Sequence, residues 1–359
     1  MRKKKCPVFI LFLVCVLVLF GGCSVVKTDK APTGTIIVSD EVEPPAKNVE
    51  NIEWTPVVID TETEKEEIPE TVQEEDTDGA EPVANVPAYS VDELPQNGRE
   101  LEFFGNFDNE DMRWLLKSIL DGYYKRISLV CWSLDGANAI AYNTEARYHS
   151  GCTIKMPFFL YCCKAMDAGL ESPDTVLTYM ERHFTEGSGR IRYNAFGSQY
   201  TIAELITLGL SISDNVAYKM LYEHFGTEGY NEFIEELGCP SLTLTGMWPG
   251  RVSPVEFVKV WNEVKRYFES GAPNSELLRE ACTNTMFAYG MGAIDGVDYS
   301  HKSGHQYSPY EAYNDVGIVW CEHPFIYAVF TASEGEDYDD GVISQAVKCA
   351  YELINYQTE

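Results

Sequence analysis

The strongest constraint on what this chain can fold into is a change of composition near residue 94. Between Ala31 and Glu93 it carries 18 acidic and 2 basic residues, recurrent prolines (Pro44, Pro45, Pro56, Pro69, Pro82) and no sustained apolar period. Such a segment cannot bury enough apolar surface to offset the entropy of ordering, so residues 24–95 are expected to form a disordered acidic tether. About 70 residues of flexible coil span on the order of 45 Å, and self-repulsion extends them further. More than half of the net charge of −29 sits in this stretch, so the overall acidity says little about what the rest of the chain binds. Residues 96–359 are aromatic-rich and long enough for one large core, in one or two lobes. No basic patch with interleaved aromatics occurs, which argues against a nucleic-acid partner.

The N-terminus carries Arg2, Lys3, Lys4 and Lys5, then an unbroken apolar run from Val8 to Phe20, then Gly21-Gly22-Cys23. A basic end, a short apolar core and small residues at the exit make a secretory signal. The run is too short for a membrane-spanning helix, which needs about 20 apolar residues. "LFGGC" resembles the lipobox of bacterial lipoproteins, although Leu19 lies one place early and Phe20 fills its slot. That resemblance implies a signal peptide over residues 1–23, lipid attachment at Cys23, and an extracytoplasmic domain anchored to the cell membrane. An ordinary cleaved signal or an uncleaved anchor is the competing reading, and either also exports the chain.

Within the domain, "NEDMRWLLKSILDGYYKR" has helical periodicity with Asn109 as its cap. "ISLVCWSLDGANAIAYN" reads as two strands joined by a turn at Asp135-Gly136. "YTIAELITLGLSISDNVAYKMLYEHFG" reads as two helices broken at Ser213-Asp214-Asn215, the first opened by a Thr201/Glu204 capping box. "VSPVEFVKVWNEVKRYFESG" is a further helix with Pro254 in its first turn and Ser253/Glu256 as its capping box. "NDVGIVWCE" and "FIYAVFTAS" are strand-like, and "VISQAVKCAYELI" is a final helix. Strands at both ends with helices between them predict an α+β or α/β layered domain whose sheet is built from the two ends of the chain.

"RYHSGCTIKMPFF", residues 147–159, sets three possible nucleophiles, Ser150, Cys152 and Thr153, ahead of Lys155. Side chains three or four apart share a helix face and those two apart do not, which selects Cys152 as Lys155's neighbour. In a first helical turn, the backbone dipole and Lys155 would both favour a thiolate. A desolvated lysine can also accept the proton. By itself, however, a Cys-x-x-Lys pair on a buried helix is more often plain structure. Eight cysteines follow residue 94 with no C-x-x-C pair and no His/Cys metal spacing, so neither metal nor cofactor is expected. Cys162 and Cys163 fall in an apolar helical stretch and read as packing.

Two further motifs accompany the first: Ser213-Asp214-Asn215, and Lys302-Ser303-Gly304 ahead of strand-like sequence. Each alone reads as a helix cap or a surface turn. In this order they resemble the Ser-x-x-Lys, Ser-x-Asn and Lys-[Ser/Thr]-Gly signatures of the penicillin-recognising serine hydrolases, and most closely the class A β-lactamase-like branch. The flanks "YHSGCTIKMPFFLY", "TEGSGRI" and "HKSG" extend the resemblance over roughly residues 96–359. It implies a β-lactamase/transpeptidase-like fold, with an antiparallel sheet flanked by helices and an all-helical lobe. It also implies roles. Cys152 takes the acylating nucleophile's position and Lys155 its proton partner's. Ser213 relays protons to the leaving nitrogen and Asn215 holds the substrate's amide. Lys302, Ser303 and Gly304 form the strand that receives a substrate carboxylate, and backbone N–H groups, Cys152's among them, hold the oxyanion.

The sequence departs from that family at two points. Cysteine replaces serine as nucleophile, and the stretch "GCPSLTLTGMWPGRVSP" contains no acidic residue where a class A enzyme carries its water-activating glutamate. Three functions therefore compete. The first is a monomeric acyl-enzyme hydrolase or transferase acting through Cys152 on β-lactams or D-Ala-D-Ala-type peptidoglycan stems, with slow deacylation. The second is a catalytically inactive ligand-binding or sensor protein of the same fold. The third is a Cys–His hydrolase, for which His301, beside Lys302, is the one histidine placed to approach the site. Trp248, Tyr307 and Tyr310 lie near the expected cleft, with packing the simpler role for each.

Overall fold

The computed structural model describes residues 89–123, 126–283, 285–290, 292–306, 312–332 and 341–356. The signal segment, Cys23 and the acidic stretch up to residue 88 lie outside the described residues, as do Tyr307 and Tyr310. Residues 89–95, which composition assigns to the tether, are part of the fold. Val91 and Leu94 are buried, Ser90 caps a short 3-10 turn, and Lys259 pairs with Asp92 at 2.7 Å.

A six-stranded antiparallel sheet forms the centre of the domain, in the order β1-β3-β2-β10-β9-β8. Its strands are β1 (Glu102–Phe104), β2 (Ile127–Ser133), β3 (Ala139–Tyr142), β8 (Asp298–Gln306), β9 (Ala312–Trp320) and β10 (Phe325–Thr331). Two minor ribbons pair β4 (Tyr148–His149) with β7 (Arg251–Val252), and β5 (Val176–Thr178) with β6 (Gln199–Thr201). The sheet is indeed built from both ends of the chain, and β2 against β10 is the seam, from Phe325↔Ser133 to Thr331↔Ile127. Both seam strands are buried along their whole length, so their sequences read as largely apolar runs without alternation, with Ser128 the one polar residue inside them. The pleat divides them all the same. Leu129, Cys131, Tyr327 and Val329 enter one core, and Val130, Trp132, Ala328 and Phe330 enter the other.

The first core is closed by α1 (Glu110–Gly122) and α8 (Gly341–Asn355), which pack on each other and on the sheet. The second holds α2 (Lys155–Asp167), α3 (Ile202–Ser211), α4 (Asn215–Phe225), α5 (Glu228–Glu236), α6 (Pro254–Glu269) and α7 (Ser275–Thr283). Asn109 caps α1 through Met112 N–H at 3.0 Å, and Thr201 with Glu204 forms the expected box on α3. The Asp135-Gly136 turn joins β2 to β3, with Gly136 at φ 73°. The box expected at α6 does not form. Ser253 makes no side-chain cap bond, and the Glu256 carboxylate instead accepts from Ser241 N–H at 2.9 Å and Ser241 Oγ at 2.7 Å. The loop before α6 folds back and supplies a better donor pair than the helix's own first turn. Lys302-Ser303-Gly304 lies inside β8 rather than ahead of a strand, and α5 and α7 follow stretches with little sequence signal.

The ring of Phe330 is buried between Tyr148 and Phe257, with centroids at 5.9 and 5.1 Å, so it ties the seam to α6. Phe330→Ala should cost about 3–5 kcal/mol of unfolding free energy in urea titration, against about 1 kcal/mol for Asn109→Ala.

Candidate active site

Ser150 precedes a 3-10 turn, Gly151–Ile154, that runs directly into α2. Cys152 therefore sits one turn before the α-helix proper, and Lys155 is the helix's first residue. The other two candidates are engaged elsewhere. Ser150 Oγ donates to Gly151 O at 3.1 Å, Thr153 Oγ1 donates to Ser150 O at 2.8 Å, and both residues are buried. Cys152 alone of the three lines the cleft, a cavity of roughly 480 Å³.

The turn is held against β8 by two glycines. A Cβ on Gly304 would stand 2.5 Å from Ser150 O and 2.9 Å from Cys152 N, and one on Gly151, at φ +51°, would stand 2.7 Å from His305 N. Only hydrogen at both positions permits this approach. The same contact brings the backbone nitrogens of Cys152 and His305 to one junction on the cleft floor. Asn314, buried on β9, donates through Nδ2 to His149 O at 2.7 Å and Ser150 O at 3.1 Å, fixing the segment that leads into the turn.

Lys155 is fully buried, and its ammonium donates to Ser213 O at 2.6 Å, Asn215 Oδ1 at 2.7 Å and Ser213 Oγ at 3.3 Å. Lys302, also buried, donates to Ser213 Oγ at 3.0 Å and Ser303 O at 2.7 Å. Cys152 Sγ lies 3.7 Å from Asn215 Oδ1. The structure thus brings Cys152, Lys155, Ser213, Asn215, Lys302, Ser303 and Gly304 to one place, from the 3-10 turn, α2, the α3–α4 connection, α4 and β8. Burial depresses both lysines, Lys302 to about 8. Burial alone would raise the Cys152 thiol, but the charges of Lys155 and Lys302, with hydrogen bonding to Ser213 and Lys155, outweigh it and bring the thiol below its ordinary range. Cys131, Cys162, Cys163, Cys239 and Cys282 are all buried and pushed up by desolvation, which leaves them inert.

Ser213 adopts φ +56°, a left-handed conformation costing about 1–2 kcal/mol for a residue with a Cβ. It is held there by Lys155 on its carbonyl and by Asp214, whose N–H donates to Leu208 O at 3.0 Å. The Asp214 carboxylate is a clamp. Oδ1 caps α4 through Val216 and Ala217 N–H, while Oδ2 accepts from Arg190 and Ile191 N–H at 2.7 and 2.9 Å. This fastens the Gly187–Gly189 turn beside Asn215, and Asn215 Nδ2 donates to Glu186 O at 2.9 Å. Motif reading passed over Asp214, although its position between Ser213 and Asn215 and its preference for helix starts are a legible signal. It also passed over Asn314, for which the sequence offers none.

His301 does not reach the cleft. It alternates to the other side of β8 from Lys302, wholly buried, with Nδ1 on Asp315 Oδ1 at 2.8 Å and Nε2 on Thr285 Oγ1. Asp315 Oδ2 accepts from Tyr289 and Gly290 N–H, and Ser303 Oγ donates to Phe287 O at 2.8 Å. Together these bonds seat the segment 285–290 so that Phe287 and Tyr289 wall the cleft beside Ser303. Trp248, tilted against Tyr218 with ring centroids 5.3 Å apart, also lines the cleft. Among the described residues that line the cleft, Glu186 is the only carboxylate, and it is exposed at the rim.

A model of the β-lactamase enzyme family matches residues 113–354. The chain belongs to the β-lactamase enzyme family. Among solved structures, PBP-A captured as its acyl-enzyme with penicillin G, in a point variant, is 20% identical with a TM-score of 0.60, covering 67% of this chain and 96% of that one. A β-lactamase from Chitinophaga pinensis is 17% identical with a TM-score of 0.62, covering 68% and 100%. A class A β-lactamase representative from Bacteroides cellulosilyticus is 19% identical with a TM-score of 0.61, covering 70% and 99%. At these identities the structural neighbours establish the β-lactamase/transpeptidase-like fold. No curated protein matches the chain by sequence.

Alkylation of the native protein by iodoacetamide should follow a thiol that ionises below the ordinary cysteine range. Its rate falls as pH drops through that midpoint, and Lys155→Ala or Lys302→Ala shifts the midpoint upward. Gly304→Ala should displace the turn and suppress labelling in the same assay.

Proposed function

We propose that this protein is an extracytoplasmic, lipid-anchored acyl-enzyme of the β-lactamase family. In this reading Cys152 opens the amide of a β-lactam or of a D-Ala-D-Ala-type cell-wall peptide. The observation that carries it is the position of Cys152 Sγ on the cleft floor, within the hydrogen-bonded set of Lys155, Ser213, Asn215 and Lys302.

The Cys152 sulfur attacks the carbonyl carbon and the C–S bond forms. The backbone N–H groups of Cys152 and His305, meeting at the Gly151–Gly304 contact, are the donors placed for the oxyanion. Collapse breaks the C–N bond. The leaving nitrogen takes its proton from Ser213 Oγ, which both lysines touch and resupply. Lys302 receives the substrate's carboxylate, joined by Ser303 once its hydroxyl turns from Phe287 O. Asn215 holds the acyl-side amide once its Nδ2 turns from Glu186 O.

Release of the acyl group by water should be slow. The segment 238–254 contains no acidic residue, and Glu256, the next one, is committed to Ser241. The Gly21-Gly22-Cys23 exit and the acidic tether support export and lipid anchoring.

With penicillin G under reducing conditions, intact mass should show a persistent adduct of one drug molecule, absent in Cys152→Ala. Lys155→Ala should slow its formation by about 10²-fold or more. Ligand-induced stabilisation without any adduct would favour a binding or sensor protein instead. Capture of a carboxylate-bearing ligand should weaken as pH rises through about 8, where Lys302 loses its charge; the acylation rate at subsaturating ligand measures this. In cells, Cys23→Ala should abolish incorporation of labelled palmitate and retention in the membrane fraction.

A further inference from the structure

Cys152 shares its corner of the cleft with an amine and, among the described residues that line it, with no second thiol. We propose that Cys152 and Lys155 form a reversible oxidation site: a peroxide oxidises the sulfur, and the Lys155 nitrogen then closes on it as a sulfenamide, an S–N bond that thiols reopen. The proposal concerns these two side chains alone and stands whether or not Cys152 acylates.

Three observations carry the proposal. First, the sulfur and the nitrogen are held around one atom. Asn215 Oδ1 lies 3.7 Å from Cys152 Sγ and 2.7 Å from Lys155 Nζ, and the thiol is itself hydrogen-bonded to Lys155. Their three-residue spacing, across the turn into α2, sets both on one face. Lys302 acts on the sulfur through its charge alone. Second, the sulfur is open to a small oxidant and has no thiol to turn to. Cys152 lines a cleft of roughly 480 Å³, and its cationic neighbours favour thiolate, the form that attacks a peroxide. Cys162, the next cysteine along the chain, is wholly buried in α2, about 15 Å away by helical rise. A sulfenic acid without a partner climbs on to sulfinic and sulfonic acid, so a neighbouring amine decides whether the oxidation is reversible. Third, oxidation itself readies that amine. Burial favours the neutral form of Lys155, whereas the negative charges of Cys152 and Asp214 favour the ammonium. Conversion of the thiolate to a neutral sulfenic acid removes the larger of those two influences, and Lys155 sheds its proton when a nucleophilic nitrogen is needed.

Hydrogen peroxide is the one co-reactant. The Cys152 thiolate attacks a peroxide oxygen; the S–O bond forms, the O–O bond breaks, and the departing hydroxide takes a proton and leaves as water. Sulfur is oxidised by two electrons and the peroxide is reduced. The neutral Lys155 nitrogen then attacks sulfur; the S–N bond forms, the S–O bond breaks, and the hydroxide leaves with the nitrogen's surplus proton as a second water. The net reaction consumes one thiol, one amine and one peroxide and yields a sulfenamide and two waters. Two equivalents of a small thiol return Cys152 and Lys155 and leave as a disulfide.

The test uses the full chain in detergent, reduced, freed of reductant and then given hydrogen peroxide. Intact mass is recorded, and the protein is alkylated with iodoacetamide, denatured and digested with trypsin in the absence of reductant. The expected product is lighter by two hydrogens, unlabelled at Cys152, and no longer cleaved after Lys155, whose side chain has lost its charge. Dithiothreitol added before alkylation should restore mass, labelling and cleavage together. Lys155→Arg keeps the charge but presents a guanidinium, a poor nucleophile. Its Cys152 should instead gain two or three oxygens that dithiothreitol does not remove. Native protein that gains those oxygens at Cys152, with cleavage after Lys155 intact, would overturn the bridge. A two-hydrogen loss that fragmentation places between two cysteines would overturn it as well, and so would a Cys152 that peroxide leaves fully open to iodoacetamide. Should Lys155→Arg fail to fold, the map of the native protein decides by itself.

Discussion

The site depends on one close approach. Strand β8 lies against the turn before α2 with only hydrogen between Gly304 and the backbone of Ser150 and Cys152, and Gly151 answers it from the other side. Such contact positions the Cys152 N–H and a strand N–H together without any side chain to aim them, so its geometry is set by the fold and not by rotamers. Asn314 belongs to this arrangement, because its bonds to two successive carbonyls make the segment leading into the turn an extension of the sheet. The cleft residues inherit the rigidity of β8, β9 and β10.

Charge is the second organising element. Two lysines buried within reach of one hydroxyl are unfavourable as a pair, since each loses hydration and repels the other. The repulsion is moderated by Asp214 and Asp315, neither of which faces the cleft, and by the thiolate itself. The arrangement is therefore most settled when the sulfur is anionic. This gives a physical reason for a thiol to ionise here and not at the other buried cysteines. The strain at Ser213 belongs to the same balance, because a left-handed residue places a carbonyl and a hydroxyl on the same lysine.

Much of this was legible in the sequence, and the reasons differ by element. The seam strands were readable because their residues are largely apolar, Ser128 being the one polar residue inside them, and α1 and α3 because their caps are local signals. β8 was legible only through the motif resemblance, since "DYSHKSGHQ" has Tyr299 as its one apolar residue and gains its strand form from pairing with β9. The Ser253/Glu256 box failed because a local pattern lost to a tertiary donor, Ser241, which no spacing rule anticipates. The lysine and serine of the third motif were found by order and kind. The histidine beside them was misjudged because strand alternation places neighbours on opposite faces. The aromatic wall of Phe287 and Tyr289 had no signal, because its placement is set by Asp315 from across the sheet.

The seam between β2 and β10 has a consequence for how the protein comes into being. It joins segments that lie roughly 200 residues apart in the chain, and the turn and β8 are separated by roughly 150, so the entropy of closing both loops must be met before either contact contributes. A chain emerging N-terminus first cannot assemble the sheet, or the cleft, until almost its last strand has appeared. Until then Cys152 lacks Ser213 and Lys302 as neighbours. The cleft and its depressed thiol are thus acquired at the end of synthesis, as a property of the completed topology and of no earlier fragment.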